Sequence, residues 1–160
     1  MKENGAIAIA TFTDVGIVSS TRKSMSSVAK GLIRHLNEFD PDVIVLELGD
    51  GLIGYYGVEE ILLDKQIQEH VVAHIVTASD LAGAWAAREL FKTRFDASIC
   101  AISGTVTDNA VGKQYIEQVL GLPVINARDR GFALARHIST PLYRLSRDHN
   151  PAIAISPVFV

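Results

Sequence analysis

The sequence predicts an α/β domain, a three-layer sandwich around a mostly parallel, five- to six-stranded sheet. Three observations predict it. Apolar runs of strand length alternate with amphipathic helical stretches over the whole chain. Each run ends in small and polar residues, the composition of loops at the carboxyl edge of a parallel sheet. The run at residues 43–46, Val-Ile-Val-Leu, is unbroken and stops at Glu47-Leu48-Gly49-Asp50-Gly51, which reads as a strand buried on both faces.

Taken in order, residues 5–12 (Gly-Ala-Ile-Ala-Ile-Ala-Thr-Phe) read as a first strand, followed by a loop to residue 21. Over residues 23–39, Met25, Val28, Leu32, Leu36 and Phe39 recur at helical spacing, while Lys30, Arg34 and Glu38 face outward. Asp40-Pro41 ends that helix, because proline disfavours helical geometry in the residue before it. The 43–46 strand follows, then a glycine-rich loop over 49–57 and a helix over 58–68. Residues 71–77 are a third strand. Ser79 or Asp80 caps an alanine-rich helix that runs to Thr93. Residues 97–102 form a fourth strand with a polar exit over 103–108. A helix over 109–120 carries Val111, Tyr115, Ile116, Val119 and Leu120 on one side. Gly121 stops it, and Pro123 precedes a short fifth strand at 124–126. A last helix covers 128–146, bent near Pro141. Residues 152–155 suit an edge strand between prolines. No linker, internal repeat or low-complexity segment divides the chain, so a single domain is expected.

The composition narrows the function. The 160 residues are 48% apolar and 21% charged, ordinary values for a soluble globular domain. A net charge of -3 makes no electrostatic case for nucleic acid or an anionic membrane. One cysteine, Cys100, lies inside an apolar run and points to a reducing compartment. The first residues lack the apolar core of a signal peptide, and the apolar runs are too short to span a bilayer. The expectation is a cytoplasmic domain.

The candidate site follows from the strand exits. Thr13-Asp14, Glu47 with Gly49-Asp50-Gly51, Ser79-Asp80, Ser103-Gly104 with Thr107, and Asn126-Ala127-Arg128 would share one edge of a parallel sheet. Such a polar rim suits a phosphate-bearing or carboxylate ligand, although Ser79, Thr107 and Asp108 are each explained as well by helix capping. Hydroxyls followed by Arg22 and Lys23, in Ser19-Ser20-Thr21-Arg22-Lys23-Ser24, form a second constellation. It would hold an anion or simply start a helix. It is not a Walker A loop, which needs Gly-x-x-x-x-Gly-Lys-Ser/Thr. The five histidines show no metal spacing; His70 and His74 straddle a helix end and a strand. No Gly-x-Ser-x-Gly elbow is present. Tyr55-Tyr56, between Gly54 and Gly57, reads as packing or as the cover of a pocket.

With those residues in place, the chain resembles the later part of a P-loop NTPase of the dethiobiotin synthetase and cobyric acid synthase kind. The Walker B strand of that group ends in an acid and a glycine-rich turn, as residues 42–51 do here. The next strand and small-residue loop match 72–87, a further strand matches 97–109, and a Gly-Leu-Pro-Val strand is present at 121–124. The likeness covers roughly residues 5–127 by order of elements and implies a Rossmann-like, P-loop-NTPase-like fold. The Walker A strand and loop of that group have no counterpart here. The resemblance therefore implies the carboxyl-terminal part of a longer NTPase, a relative without the phosphate loop, or one chain of a split enzyme. It also implies nucleotide bound with Mg²⁺ (ATP or GTP), Glu47 and Asp50 as the metal's acids, Asp14 nearby, and Arg22 or Lys23 against phosphate. Two other readings stand beside it. One is a non-catalytic Rossmann-like module acting through a homo-oligomer or a partner protein, while a P-loop-bearing partner segment belongs to the split-enzyme reading. The other is an enzyme using Asp14, Glu47 and Asp50 as catalytic acid–base groups.

Overall fold

The structure, a computed structural model, describes residues 2–18, 24–49, 51–145 and 152–157. Helix α1 (Met25–Asn37) follows Ser24, whose φ of 79° turns the chain into it. Its apolar stripe places Met25 and Ala29 in the core. Asp40, at φ 49°, and Pro41 then turn the chain into β1 (Val43–Leu48). The stretch over 58–68 is two short helices, α2 (Val58–Leu63) and α3 (Lys65–Gln68), rather than one. They part at Asp64, which leaves helical geometry so that its carboxylate accepts from Gln66 N and Ile67 N at 2.9 and 3.2 Å. Strand β2 (Val71–Thr77) leads to α4 (Leu81–Leu90), capped by Asp80 through a 2.7 Å bond from Gly83 N. A π-type turn over Phe91–Phe95 closes α4 and buries both phenylalanines. Strand β3 (Ile99–Ser103) is followed by α5 (Ala110–Tyr115) and a second π-type turn, Ile116–Leu120. Helix α6 (Ala127–Leu145) and strand β4 (Ala152–Pro157) complete the chain.

Among the described residues the sheet has four strands, all parallel, in the order β1-β4-β2-β3. The expected five- to six-stranded sheet of a Rossmann-like or P-loop-NTPase-like sandwich is not formed. Two of its members fail for local reasons. Residues 6–10 enter no ladder, and the chain bends at Ile7. A turn at Lys2–Asn4 precedes them, and Phe12–Val15 forms another, pinned by Thr11 N and Thr11 Oγ1 donating to Asp14 Oδ2 at 2.7 Å each. Residues 124–126 contribute one isolated bridge, Val124 to Ile102, because Pro123 lacks an N–H and Asn126 is already used as a cap. The 152–157 strand, expected at an edge, lies inside the sheet between β1 and β2.

Two further expectations are corrected. β1 is not buried on both faces: Ile44 and Leu48 are buried, whereas Val43, Val45 and Glu47 on the alternate face are exposed. It lies at the sheet's end, beside the groove lined by residues 4–12. The irregular point of α6 is Arg130 (φ -134°, ψ 41°), next to Gly131, and not Pro141.

The core packs α1, α2 and α4 against the sheet through Ile44, Leu48, Ile61, Leu62, Val76, Phe91 and Ile102. His74 belongs to it, with its ring edge-on to Phe91 at 5.1 Å. On the 109–120 stretch only Tyr115, Ile116 and Leu120 turn inward; Val111 and Val119 are exposed. Among the described residues no helix is long and apolar enough to cross a membrane.

Candidate functional site

The parallel sheet brings the exits of β2 and β3 together, and hydrogen bonds join them. Ala78 N donates to Ser103 O at 3.0 Å, and Val106 N donates to Ala78 O at 3.1 Å. The Thr105 hydroxyl donates to Ser79 O at 3.1 Å. Gly104 makes this contact possible. Its φ is +90°, and a Cβ there would stand 2.6 Å from Ala78 O. Buried Thr107 turns its hydroxyl back to Gly104 O at 2.7 Å.

The start of α6 joins the same rim. Buried Asn126 accepts from Arg128 N and Asp129 N, at 3.0 and 3.1 Å, through Oδ1. Its Nδ2 donates to Asp108 Oδ1 at 2.7 Å. Ala127 N donates to Ser103 Oγ at 3.0 Å, which ties the end of β3 to the first residue of α6. Arg128 Nη1 lies 3.6 Å from Asp108 Oδ2, and the arginine side chain is 75% exposed. Ser79, Asp80, Ser103, Gly104, Thr107, Asn126 and Arg128 therefore form one constellation. Asp108 is the member whose role the sequence concealed, because an acid beside Asn109 at a helix start has the signature of a cap. Among the described residues no buried side-chain polar atom lacks a partner, so the rim's own bonds satisfy its interior. What it offers outward is the guanidinium of Arg128 and the exposed Ser79, Asp80 and Thr105.

Of the other predicted residues, the described ones, Thr13, Asp14, Glu47, Gly49 and Gly51, are not drawn into that constellation. Thr13 and Asp14 sit in their own exposed turn. The Thr11 hydroxyl, and after it the Thr11 N–H, holds the Asp14 carboxyl below its usual range. Among the described residues no hydrogen bond or ion pair joins Asp14 to Glu47. Glu47 and Gly49 belong instead to a groove of about 820 Å³ between residues 4–12 and residues 43–47, floored by Leu32, Ile33 and Leu36 of α1. Gly51 follows at the exit of β1, where φ is +84°. Asp50, Arg22 and Lys23 lie outside the described residues, as do Ser19, Ser20 and Thr21. Tyr55 and Tyr56 are exposed and do not line the groove.

Among the described residues no group of three His, Cys, Asp or Glu side chains is placed to hold a metal. They offer Mg²⁺ the single carboxylate of Glu47 at the exit of β1. By themselves the described residues supply no all-protein cage for a resident ion. Cys100 is half-buried, and burial pushes its thiol up, away from the thiolate that chemistry would need. No protein-family model, curated protein or solved structure matches this chain.

Proposed function

We propose that the carboxyl edge of the sheet binds a nucleotide or another anionic small molecule, in a cytoplasmic domain that is not catalytic alone. The observation that carries this reading is Arg128. Its backbone is held by Asn126, its guanidinium stands beside Asp108, and most of the side chain remains open to solvent. A cation anchored in the first turn of a helix, beside the exposed Ser79 and Thr105, suits a phosphate or carboxylate. Glu47 and Asp50 would meet Mg²⁺ only as part of a metal–nucleotide complex, and hydrolysis or ligation would require a phosphate loop from another segment.

Calorimetric titration with ATP and GTP, each with and without Mg²⁺, tests this on the wild type and on Arg128→Ala. The expected result is binding by the wild type and a loss of about tenfold in affinity in the variant. Glu47→Gln should remove only the Mg²⁺-dependent part. No binding of either nucleotide by the wild type, or equal affinity in Arg128→Ala, overturns the proposal.

A further inference from the structure

Residues 6–9 and residues 152–155 are the same tetrapeptide, Ala-Ile-Ala-Ile, a duplication too short to read as an architectural repeat. The two copies have different fates. Residues 152–155 lie inside the sheet and pair parallel to β1, with Val43 opposite Ala152, Ile44 opposite Ile153, Val45 opposite Ala154 and Leu46 opposite Ile155. Residues 6–10 make no backbone hydrogen bond among the described residues, and the chain bends at Ile7. Ile7 and Ile9 are 68% and 43% exposed. Beyond the groove lies the outer edge of β1, which has no strand partner among the described residues because β1 ends their sheet. The molecule thus carries an unpaired strand edge together with a spare copy of the sequence that this strand already pairs on its other side.

We propose that the outer edge of β1 is covered by residues 6–10 of a second copy of this chain, in reciprocal exchange. Backbone pairing continues the β1–β4 ladder outward, and a closed two-fold exchange leaves neither edge bare. In the register that β4 uses, Ile7 would stand beside Ile44 and Ile9 beside Leu46. Both would then lie over Leu32, Ile33 and Leu36, the apolar floor of the groove. Alanines would fall beside Val43 and Val45. Neither residues 6–10 nor residues 43–46 carry a charge, so bringing the two together desolvates no ion. The proposal is independent of the ligand reading.

Sedimentation equilibrium over a concentration series, paired with amide hydrogen exchange, tests it on the full chain. The expected result is a monomer–dimer equilibrium in which the amides of residues 7–10 become protected as dimer forms. Ala8→Pro removes a ladder N–H, and the double variant Ile7→Lys, Ile9→Lys places two charges in the groove. Each should raise the dimer dissociation constant by about tenfold or more with an unchanged circular dichroism spectrum. Ile53→Lys, at an exposed apolar position outside the groove, should leave it unchanged. A monomer at every concentration overturns the proposal, and so does a dimer insensitive to the donor variants. Protection of residues 7–10 in a monomeric species also overturns it, since the segment would then be closing on its own chain.

Discussion

Gly104 faces the backbone of Ala78 so closely that a Cβ on it would lie 2.6 Å from the Ala78 carbonyl oxygen and 2.8 Å from the Ala78 nitrogen. Both contacts are with backbone, which cannot rotate away. The same carbonyl accepts from Val106 N, so pushing it aside would break a bond that holds the exits of β2 and β3 together. Gly104→Ala should therefore lose about 3 kcal/mol of stability, combining overlap with strain at positive φ. Urea denaturation measures it, and a loss under about 1 kcal/mol would mean that the two exits are not locked.

Asn126 makes three bonds that no shorter residue replaces. Asn126→Ala would leave Asp108 without its amide donor and the first turn of α6 without its cap. A loss of about 2 kcal/mol is expected. Arg128→Ala, by contrast, should shift the denaturation midpoint little, because the exposed ion pair with Asp108 contributes under about 1 kcal/mol. Equal destabilisation by the two variants would place Arg128 in the structural network rather than on the open face of the rim.

Asp64 joins α1 to α3. Lys30 Nζ lies 2.8 Å from its Oδ2, and the Ser26 hydroxyl donates to the same oxygen. The Lys30 ammonium, followed by Ser26, lowers the Asp64 carboxyl to about 2. The folded state thus holds the ionised form more tightly than the unfolded chain does. Its contribution is fully present above the ordinary carboxylate range and is lost as the pH falls toward 2. After allowance for solvent screening it amounts to about 1 kcal/mol. Denaturation midpoints between pH 5 and 2.5 should fall more steeply in the wild type than in Asp64→Asn. Parallel curves for the two proteins would remove Asp64 from the acid transition.

His74 sets a second, higher window. Burial lowers its basicity, and a hydrogen bond with the Ser98 backbone opposes this in part. Its Nε2 meets Gln68 Oε1 at 3.0 Å. The unfolded chain takes up a proton near pH 6.5 before the folded core does, so this group's contribution is present above that pH and declines as the pH drops below it. Thermal midpoints should decrease from pH 7.5 to 5.5, a range in which Asp64 stays ionised. Ring-proton NMR of His74 with a midpoint at or above about 6.5 would contradict the argument.

How much was legible beforehand depends on how local each cause is. The stretches that became α1, β2, α4 and β3 were readable because their hydrophobic periods, caps and stop signals lie within the stretches themselves. Asp80 caps α4, as one of the two residues expected to, whereas the cap of α5 is Asn109 and not Thr107 or Asp108. In the candidate site, the grouping of Ser79, Ser103, Thr107, Asn126 and Arg128 followed from strand exits sharing an edge. The pairing of Asn126 with Asp108 did not, since the two are separated by a helix and a turn.

By itself the sequence determined the helices over 25–37 and 81–90 and the strands over 71–77 and 99–103, because those choices rest on neighbours a few positions away. The tertiary structure alone decided strand order and the exposure of one face of β1. Ala-Ile-Ala-Ile shows the physical reason. Local propensity is identical in its two copies, yet one pairs on both sides between β1 and β2 and the other lies unpaired beside a groove. The difference arises from which distant backbone edges each copy meets, and a strand's partners are set across the sheet rather than along the chain.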